Sequence, residues 1–290
     1  MKNCILALDA GGTFLKAVFF DLSANLIENS LMQQAVDSDG ELKLVKDAYF
    51  ALLGRLKEFA VKNKLNVIGI SVDTPGPFDY KTGTSLMKHK YLALYGISLI
   101  PWFNEFFPKT EISFIHDSTA FAYGCISAQD KNAACAMLGT GLGFAVIKDG
   151  EILLNEMGSS FYSLYKTPLK DGIAEDFVSA RGVVRLYHDL GGDAENAKQV
   201  AQRAFEGEEL ATKAFKQLGE LLAKVVIPTF NEVNTEVFYV GGQVSKSIAL
   251  FINELTLGLK DTSVKKISVP DNLDLIHLLG AVKYFIKKKA

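Results

Sequence analysis

Apolar and polar residues change their spacing several times along this chain, and each change marks an element. The opening ILALDAGGTFLKAVFFD, residues 5–21, sets two apolar runs around Asp9-Ala10-Gly11-Gly12-Thr13, which predicts a β-hairpin with a glycine turn. Helical spacing follows in DGELKLVKDAYFALLGRLKEFAVKNK, where Leu44, Tyr49, Leu52, Leu53, Leu56, Phe59 and Ala60 make one apolar face. LNVIGISV reads as a short buried strand ending in the turn-rich DTPGPFDYKTG. ISFIHD is a further strand leading into STAFAYGCISAQD, where Ser118 and Thr119 can begin a helix just behind an acid. AACAMLGTGLGFAVIKDGEILL is strand, glycine loop, strand, turn, strand. The rest is mostly helical, from AEDFVSARGVVRLYHDL through ATKAFKQLGELLAKVVIPTFNEV. It closes with the strand EVFYV, the loop Gly241-Gly242-Gln243 and the terminal helix LIHLLGAVKYFIKKK.

Two of these segments resemble each other. With Leu8 to Phe14 laid over Leu138 to Phe144, the leucine, one glycine and the phenylalanine coincide, and both loops run on into further β-rich sequence. The pattern predicts one supersecondary unit used twice, the alternative being a coincidence of two hairpins. A length of 290 residues with 49% hydrophobic content favours two domains over one. The expected divide is 1–115 against 116–274, with the terminal helix 275–290 packing back on the first part.

Charge narrows the partners. Lysine and arginine total 31 against 33 acids, so there is no cationic excess to hold nucleic acid or an anionic bilayer. The amino-terminal apolar stretch meets Asp9 and two glycines before any cleavage site, and no run reaches the ~18 apolar residues of a membrane span. A cytoplasmic protein is expected. Cys4, Cys125 and Cys135 are odd in number and lie in apolar settings, which reads as buried free thiols rather than disulfides or metal ligands.

Three glycine loops each follow a buried strand: Gly11-Gly12, Gly139-Thr140-Gly141-Leu142-Gly143 and Gly241-Gly242. Glycine lets backbone N–H groups come within reach of phosphate oxygens. The Walker pattern is absent, as is a dinucleotide fingerprint opening a helix after the first strand, so any phosphate would be held by hairpin turns. Asp9 and Asp117 each end an apolar strand, where a lone charge is costly. A magnesium ion carried by a nucleotide would give one of them a partner and a substrate hydroxyl the other. The alternatives are an acid that caps a turn for Asp9 and a helix N-cap acid for Asp117.

Taken in order, LDAGGT, a TPGP turn, HDSTAFAYG, LGTGLGFAVIKDG and YVGGQVS resemble the ROK family of sugar kinases and regulators over essentially the whole chain. The resemblance implies an α/β, two-lobed ribonuclease-H-like or actin-like ATPase fold with a nucleotide and sugar cleft between lobes. It implies ATP-dependent phosphorylation of a hexose or hexose derivative. Asp117 would be the general base and Asp9 would hold magnesium through water. Gly11, Gly12 and Thr13, with Gly139, Thr140, Gly141 and Gly143, would bind the phosphates of ATP. Gly241, Gly242 and Gln243 would lie against adenosine. Pro75, Gly76, Lys90, His116, Glu156 and Glu175 would surround the sugar. ROK kinases are commonly dimers, so the resemblance allows a homodimer.

The sugar side departs from the family pattern. His116 stands where an asparagine usually precedes the catalytic aspartate, and Lys90 replaces a second sugar-binding asparagine. NEMGSS keeps Glu156 and Gly158 of Glu-x-Gly-His but puts Ser159 at the histidine, and the zinc-binding cysteine cluster is missing. The expectation is a zinc-free branch held by packing of Phe161, Tyr162, Tyr165 and Phe177. His116 and Lys90 can donate to an acidic or modified sugar, or else Lys90 points to solvent and His116 packs near the helix start. Two other functions stand beside the kinase. One is a ROK-type sugar or nucleotide sensor without catalysis and without a DNA-binding segment, since the first strand begins within a few residues of Met1. The other is an N-acetylglucosamine kinase-like or other ATPase of the superfamily.

Overall fold

The first strand, β1 (Lys2–Ala10), is apolar on both sides because helices cover both faces of its sheet. Cys4, Leu6, Leu8 and Ala10 face the core shared with α1 (Leu42–Lys62). Ile5 and Ala7 face Leu278, Val282 and Phe285 of α8 (Ile276–Lys289). Alternation therefore puts Asp9 on the α8 face at the carboxyl end of the strand. After the turn Gly11–Thr13, β2 (Phe14–Phe20) runs back antiparallel with Leu15 opposite Ala10, and β3 (Met32–Ala35) pairs along its outer edge. On the other side β4 (Leu65–Thr74) and β7 (Glu111–His116) add in parallel. Between them in sequence come the small hairpin of β5 (Phe78–Asp79) and β6 (Thr84–Ser85) and the helix α2 (Ile100–Phe106). α3 (Asp117–Cys125) follows β7 without a loop.

The computed structural model describes residues 1–88 and 90–289, and these elements belong to the first of two units, made of Met1–Gly124, Leu154–Ser159 and the C-terminal segment from Asp274. The expected divide at 115/116 lies one helix earlier. α3 stays with the first unit because it meets α8 backbone to backbone: a side-chain carbon at Gly280 would overlap the Ala120 carbonyl, and one at Gly124 the Ile276 carbonyl. In α1 the buried stripe is Val45, Tyr49, Leu52, Leu53, Leu56 and Ala60, whereas Leu44 is 59% exposed. Leu44 lies about 100° around the helix from Val45, outside the stripe that the i, i+4, i+7 spacing buries.

The second unit, Cys125–Leu153 and Ser160–Leu273, repeats the pairing. β8 (Ala133–Leu138) turns at residues 139–141 into antiparallel β9 (Leu142–Lys148), which pairs with β10 (Glu151–Ile152). β13 (Val237–Gly241) and β14 (Lys266–Ser268) add in parallel on the other side. The orders β3-β2-β1-β4-β7 and β10-β9-β8-β13-β14 are the same arrangement, so the likeness of two short loops extends to whole sheets. The core of this unit packs α4 (Ala180–Asp189), α5 (Ala197–Phe205), α6 (Glu209–Val233) and α7 (Ile252–Gly258) through Leu186, Val200, Phe215, Leu222, Phe230 and Leu255. Among the described residues no helix is long and apolar enough to cross a membrane.

The aromatic packing expected in place of zinc is only partly present. Phe177 is fully buried, but Phe161 is 62% exposed and Tyr165 is also exposed. The segment is held instead by the hairpin β11 (Pro168–Leu169) and β12 (Gly172–Ile173), by the Arg185–Asp171 ion pair at 2.7 Å, and by the Arg185 guanidinium 4.1 Å from the centre of the Phe177 ring. All three cysteines are free thiols, Cys4 and Cys135 buried and Cys125 half-buried.

Candidate functional site

Adjacent parallel strands of the first unit deliver acids to one end of the sheet. Asp9 on β1 pairs in register with Asp73 on β4, Asp73 pairs with Ile115 on β7, and Asp117 comes two residues later. One step back along the same face, the Ser113 hydroxyl donates to Ser71 Oγ at 3.1 Å. Asp73 was not singled out from the sequence, although it obeys the rule that selected Asp9 and Asp117: an acid near the carboxyl end of an apolar strand.

Asp73 is 1% exposed, and neither carboxylate oxygen has a hydrogen-bond partner among the described residues. His277 Nδ1, on the first turn of α8, lies 3.6 Å from Oδ2, too far for a hydrogen bond. Burial, and then the charges of Asp9 and Asp117, push the Asp73 carboxyl well above its ordinary range. Burial raises Asp9 as well; His277 and Lys16 oppose this, Asp117 adds to it and Lys90 opposes it. Because the folded state holds the Asp73 proton more tightly than the unfolded state, stability falls as pH rises above the ordinary value of 3.8. Asp73→Asn should therefore raise the melting temperature at neutral pH by roughly 2–4 °C per kcal/mol recovered. The gain should shrink toward pH 4. Calorimetry from pH 4 to 8 checks this, and a variant that melts lower than wild type at every pH would refute it.

Asp117 opens α3 and keeps 33% of its side chain exposed. Its Oδ1 accepts from the Ser118 N–H at 2.6 Å and lies 2.9 Å from His116 Nδ1, which also sits 2.8 Å from Ser118 Oγ. Burial works to raise the Asp117 carboxyl, but the His116 charge and hydrogen bond, with His277 and the Ser118 amide, bring it down to about 2. Burial alone would lower His116; the Asp117 charge and hydrogen bond outweigh it and raise the imidazole above its ordinary 6.5. In the protonated imidazole Nδ1–H donates to Asp117; in the neutral ring with a bare Nδ1, that nitrogen accepts from the Ser118 N–H at 3.2 Å. The other edge of the ring faces Gly76, with Tyr80 5.9 Å away between ring centres. The Tyr80 hydroxyl donates to the Thr74 carbonyl at 3.2 Å and interacts with Ser159.

The expected sugar residues Pro75, Gly76, Lys90, His116 and Glu156 therefore all belong to the first unit. His116 is bonded to Asp117 rather than merely packed, and Lys90 is half-buried with its charge felt at Asp9. Glu156 is exposed, on the segment that carries Ser159. The first glycine turn is pinned by its carbonyls: the Tyr91 hydroxyl donates to Gly11 O at 2.6 Å, Ser38 N–H to Gly12 O and Val36 N–H to Thr13 O. Neither Gly11 nor Gly12 has a positive φ. Glycine supplies space here, since a side-chain carbon at Gly11 would lie 2.8 Å from the Phe14 carbonyl oxygen.

In the second unit the bend is Gly139, Thr140 and Gly141; Gly143 is a β9 residue opposite Met137. Ala180 N–H donates to Gly139 O at 2.8 Å, and Leu142 N–H donates to Glu175 Oε2 at 2.9 Å. Glu175 thus sits on this bend, in the second unit. Gly242, at φ +81°, lies against the Leu138 backbone, and its carbonyl accepts from Ser245 N–H and Oγ. That contact brings Gly241, Gly242 and Gln243 to the root of the second bend. Among the described residues no three or more His, Cys, Asp or Glu side chains group as a metal cage.

The sequence model of the ROK family matches residues 169–280. The chain aligns with a ROK family protein from Streptococcus pneumoniae in complex with sucrose at 18% identity, covering 99% of each chain with a TM-score of 0.79. It aligns with a ROK family glucokinase from Streptomyces griseus in complex with glucose and AMPPNP at 17% identity, covering 97% of this chain and 98% of that one, TM-score 0.77. A ROK family transcriptional regulator, a homolog of the E. coli MLC protein, aligns at 16% identity over 99% of this chain and 79% of its own length, TM-score 0.78. No curated protein sequence matches. At these identities the structural likeness establishes the fold, which is the actin-like ATPase fold of ROK proteins.

Proposed function

We propose that the chain is an ATP-dependent kinase of a hexose or hexose derivative, with Asp117 as the general base. The observation that carries this reading is a partly exposed carboxylate at the start of α3, bonded to His116 and the Ser118 amide and two residues beyond the β7 position that pairs with Asp73, itself opposite Asp9. Phosphoryl transfer to a hydroxyl needs a proton acceptor close to where the nucleotide's metal and phosphates are held. Pro75, Gly76, His116, Tyr80 and Ser159 offer donors and acceptors for a sugar beside that base.

Magnesium nucleotide fits the residues present. Asp9 is an acid whose burial disfavours its charge, and the Asp73 oxygens are orphaned, so a cation delivered with the nucleotide would find oxygen donors lacking partners. Magnesium is usually held by one or two carboxylates, substrate phosphates and water, so a complete protein cage is not required. Asp9 would hold it through water. Bound there, it would neutralise charge on the transferring phosphoryl group. Asp117 accepts the hydroxyl proton, His116 orients the carboxylate through Oδ1, and the remaining oxygen is left for the acceptor. In the first unit Gly11 to Thr13 would offer phosphate contacts; in the second the 139–141 bend would offer phosphate contacts and Gly241 to Gln243 adenosine contacts.

The pairing of His116 with Asp117 sets a pH signature. While His116 is protonated its Nδ1–H occupies the base; as it deprotonates above its ordinary 6.5, Asp117 gains basicity. kcat/KM should rise severalfold through that limb, and His116→Asn should remove the limb. A panel of hexoses, amino sugars and sugar acids with magnesium and ATP, assayed by ADP release across pH 6 to 9, tests both statements. A second reading, a sensor that binds without transferring phosphate, is favoured by the same pair, because a carboxyl held at about 2 is a weak base. Binding of AMPPNP and sugar with no ADP release from any acceptor would select it.

A further inference from the structure

The second glycine bend already carries an anion. Leu142 N–H donates to Glu175 Oε2 at 2.9 Å, and the other oxygen of that carboxylate accepts from Arg181 Nη2 at 2.5 Å. The carboxylate lies so close over the bend that a side-chain carbon at Gly141 would overlap Oε2. Bare backbone at 141 is thus used by an acid of the chain itself, and the bend behaves toward that carboxylate as glycine-rich bends behave toward phosphate. Neighbouring contacts hold the parts in register. Ala180 N–H donates to Gly139 O at 2.8 Å, and Ser179 Oγ donates to the Glu175 carbonyl at 2.7 Å while accepting from Gly182 N–H as the N-cap of α4. Arg181 also lies 3.7 Å from Asp176 and is 53% exposed.

We propose that Glu175 and Arg181 form a resident counter-ion pair on this bend, displaced by the polyphosphate of a nucleotide, whose oxygens take over the Leu142 amide and the Arg181 guanidinium. The proposal rests on the nucleotide-binding reading above and adds Arg181 to it as a phosphate ligand. One amide hydrogen cannot serve a carboxylate and a phosphate together, and two anions side by side repel, so phosphate binding at Leu142 requires Glu175 to move. The Arg181 side chain is 53% exposed and the Glu175 side chain 22%, so solvent reaches the pair from the arginine side and weakens it. Once released, the guanidinium offers the planar, two-pronged donor set that suits phosphate oxygens.

Calorimetric titration of magnesium AMPPNP, and separately of adenosine, into wild type, Glu175→Gln, Arg181→Gln and Arg181→Lys tests this. Glutamine keeps an oxygen for Leu142 but removes the competing charge, so Glu175→Gln should bind AMPPNP about threefold to tenfold more tightly. Arg181→Gln should bind it about tenfold more weakly, with part of the loss recovered in Arg181→Lys. Adenosine, which lacks phosphate, should bind all four proteins alike. Weaker AMPPNP binding by Glu175→Gln, the result if Glu175 only braces the bend, overturns the proposal. So does an Arg181→Gln affinity equal to that of wild type. Absence of AMPPNP binding in both wild type and Glu175→Gln removes the nucleotide reading and the proposal together; equal binding by wild type, Glu175→Gln and Arg181→Gln removes the proposal alone.

Discussion

Asp117→Asn should lower kcat for sugar phosphorylation by about 10²- to 10⁴-fold while leaving AMPPNP affinity nearly unchanged. The size follows from what the side chain does in the proposed transfer. Positioning and neutralisation of the phosphates remain after the substitution, but the hydroxyl loses its proton acceptor. Asparagine preserves the local frame, because its carbonyl oxygen can still accept from the Ser118 N–H and the His116 Nδ1–H. The melting temperature should accordingly change little. Single-turnover phosphorylation alongside AMPPNP titration provides the measurement. A variant with more than about a tenth of wild-type kcat would remove Asp117 from the role of base.

Gly280→Ala should cost about 3 kcal/mol or more, a loss of roughly 6–12 °C in melting temperature. Its added carbon would overlap a backbone carbonyl, that of Ala120, which cannot swing aside as a side chain can. Relief needs α3 and α8 to separate, and that movement would shift His277 on α8 and loosen the frame that begins with Asp117. Gly139→Ala is the control, since an added carbon there meets nothing within 4 Å and its φ is not positive. Differential scanning calorimetry of the two variants distinguishes a real backbone contact from an incidental glycine. Equal melting temperatures would show that the α3–α8 approach is slack.

Much of this site could be read from short runs of residues. Asp9 and Asp117 stand out because a charge at the end of an apolar strand needs a partner, and the first two glycine bends stand out because each lies between strands. Asp73 obeys the same rule, at the end of the apolar run LNVIGISV. His277 gave no signal at all: it is one polar residue in an apolar terminal helix, and its nearness to Asp73 depends on a contact across some two hundred residues. Arg181 carries no signal in the sequence, because its contact with Glu175 depends on how the bend and α4 meet. Resemblance places Glu175 at the sugar by aligned position alone, whereas its contacts with the Leu142 amide and Arg181 come from the folded bend.

The main strands and helices, the likeness of the first two glycine loops, the candidate phosphate bends and two of the strand-end acids were legible in the sequence alone, because each depends on spacing and turn chemistry within a few residues. The third acid beside Asp9, the hold of His116 on Asp117, the seat of Glu175 on the second bend and the backbone contact of α3 with α8 were decided only by the tertiary structure. The physical reason is that register across parallel strands and packing between helices join residues far apart in the chain, and local periodicity carries no record of which distant partner will lie opposite.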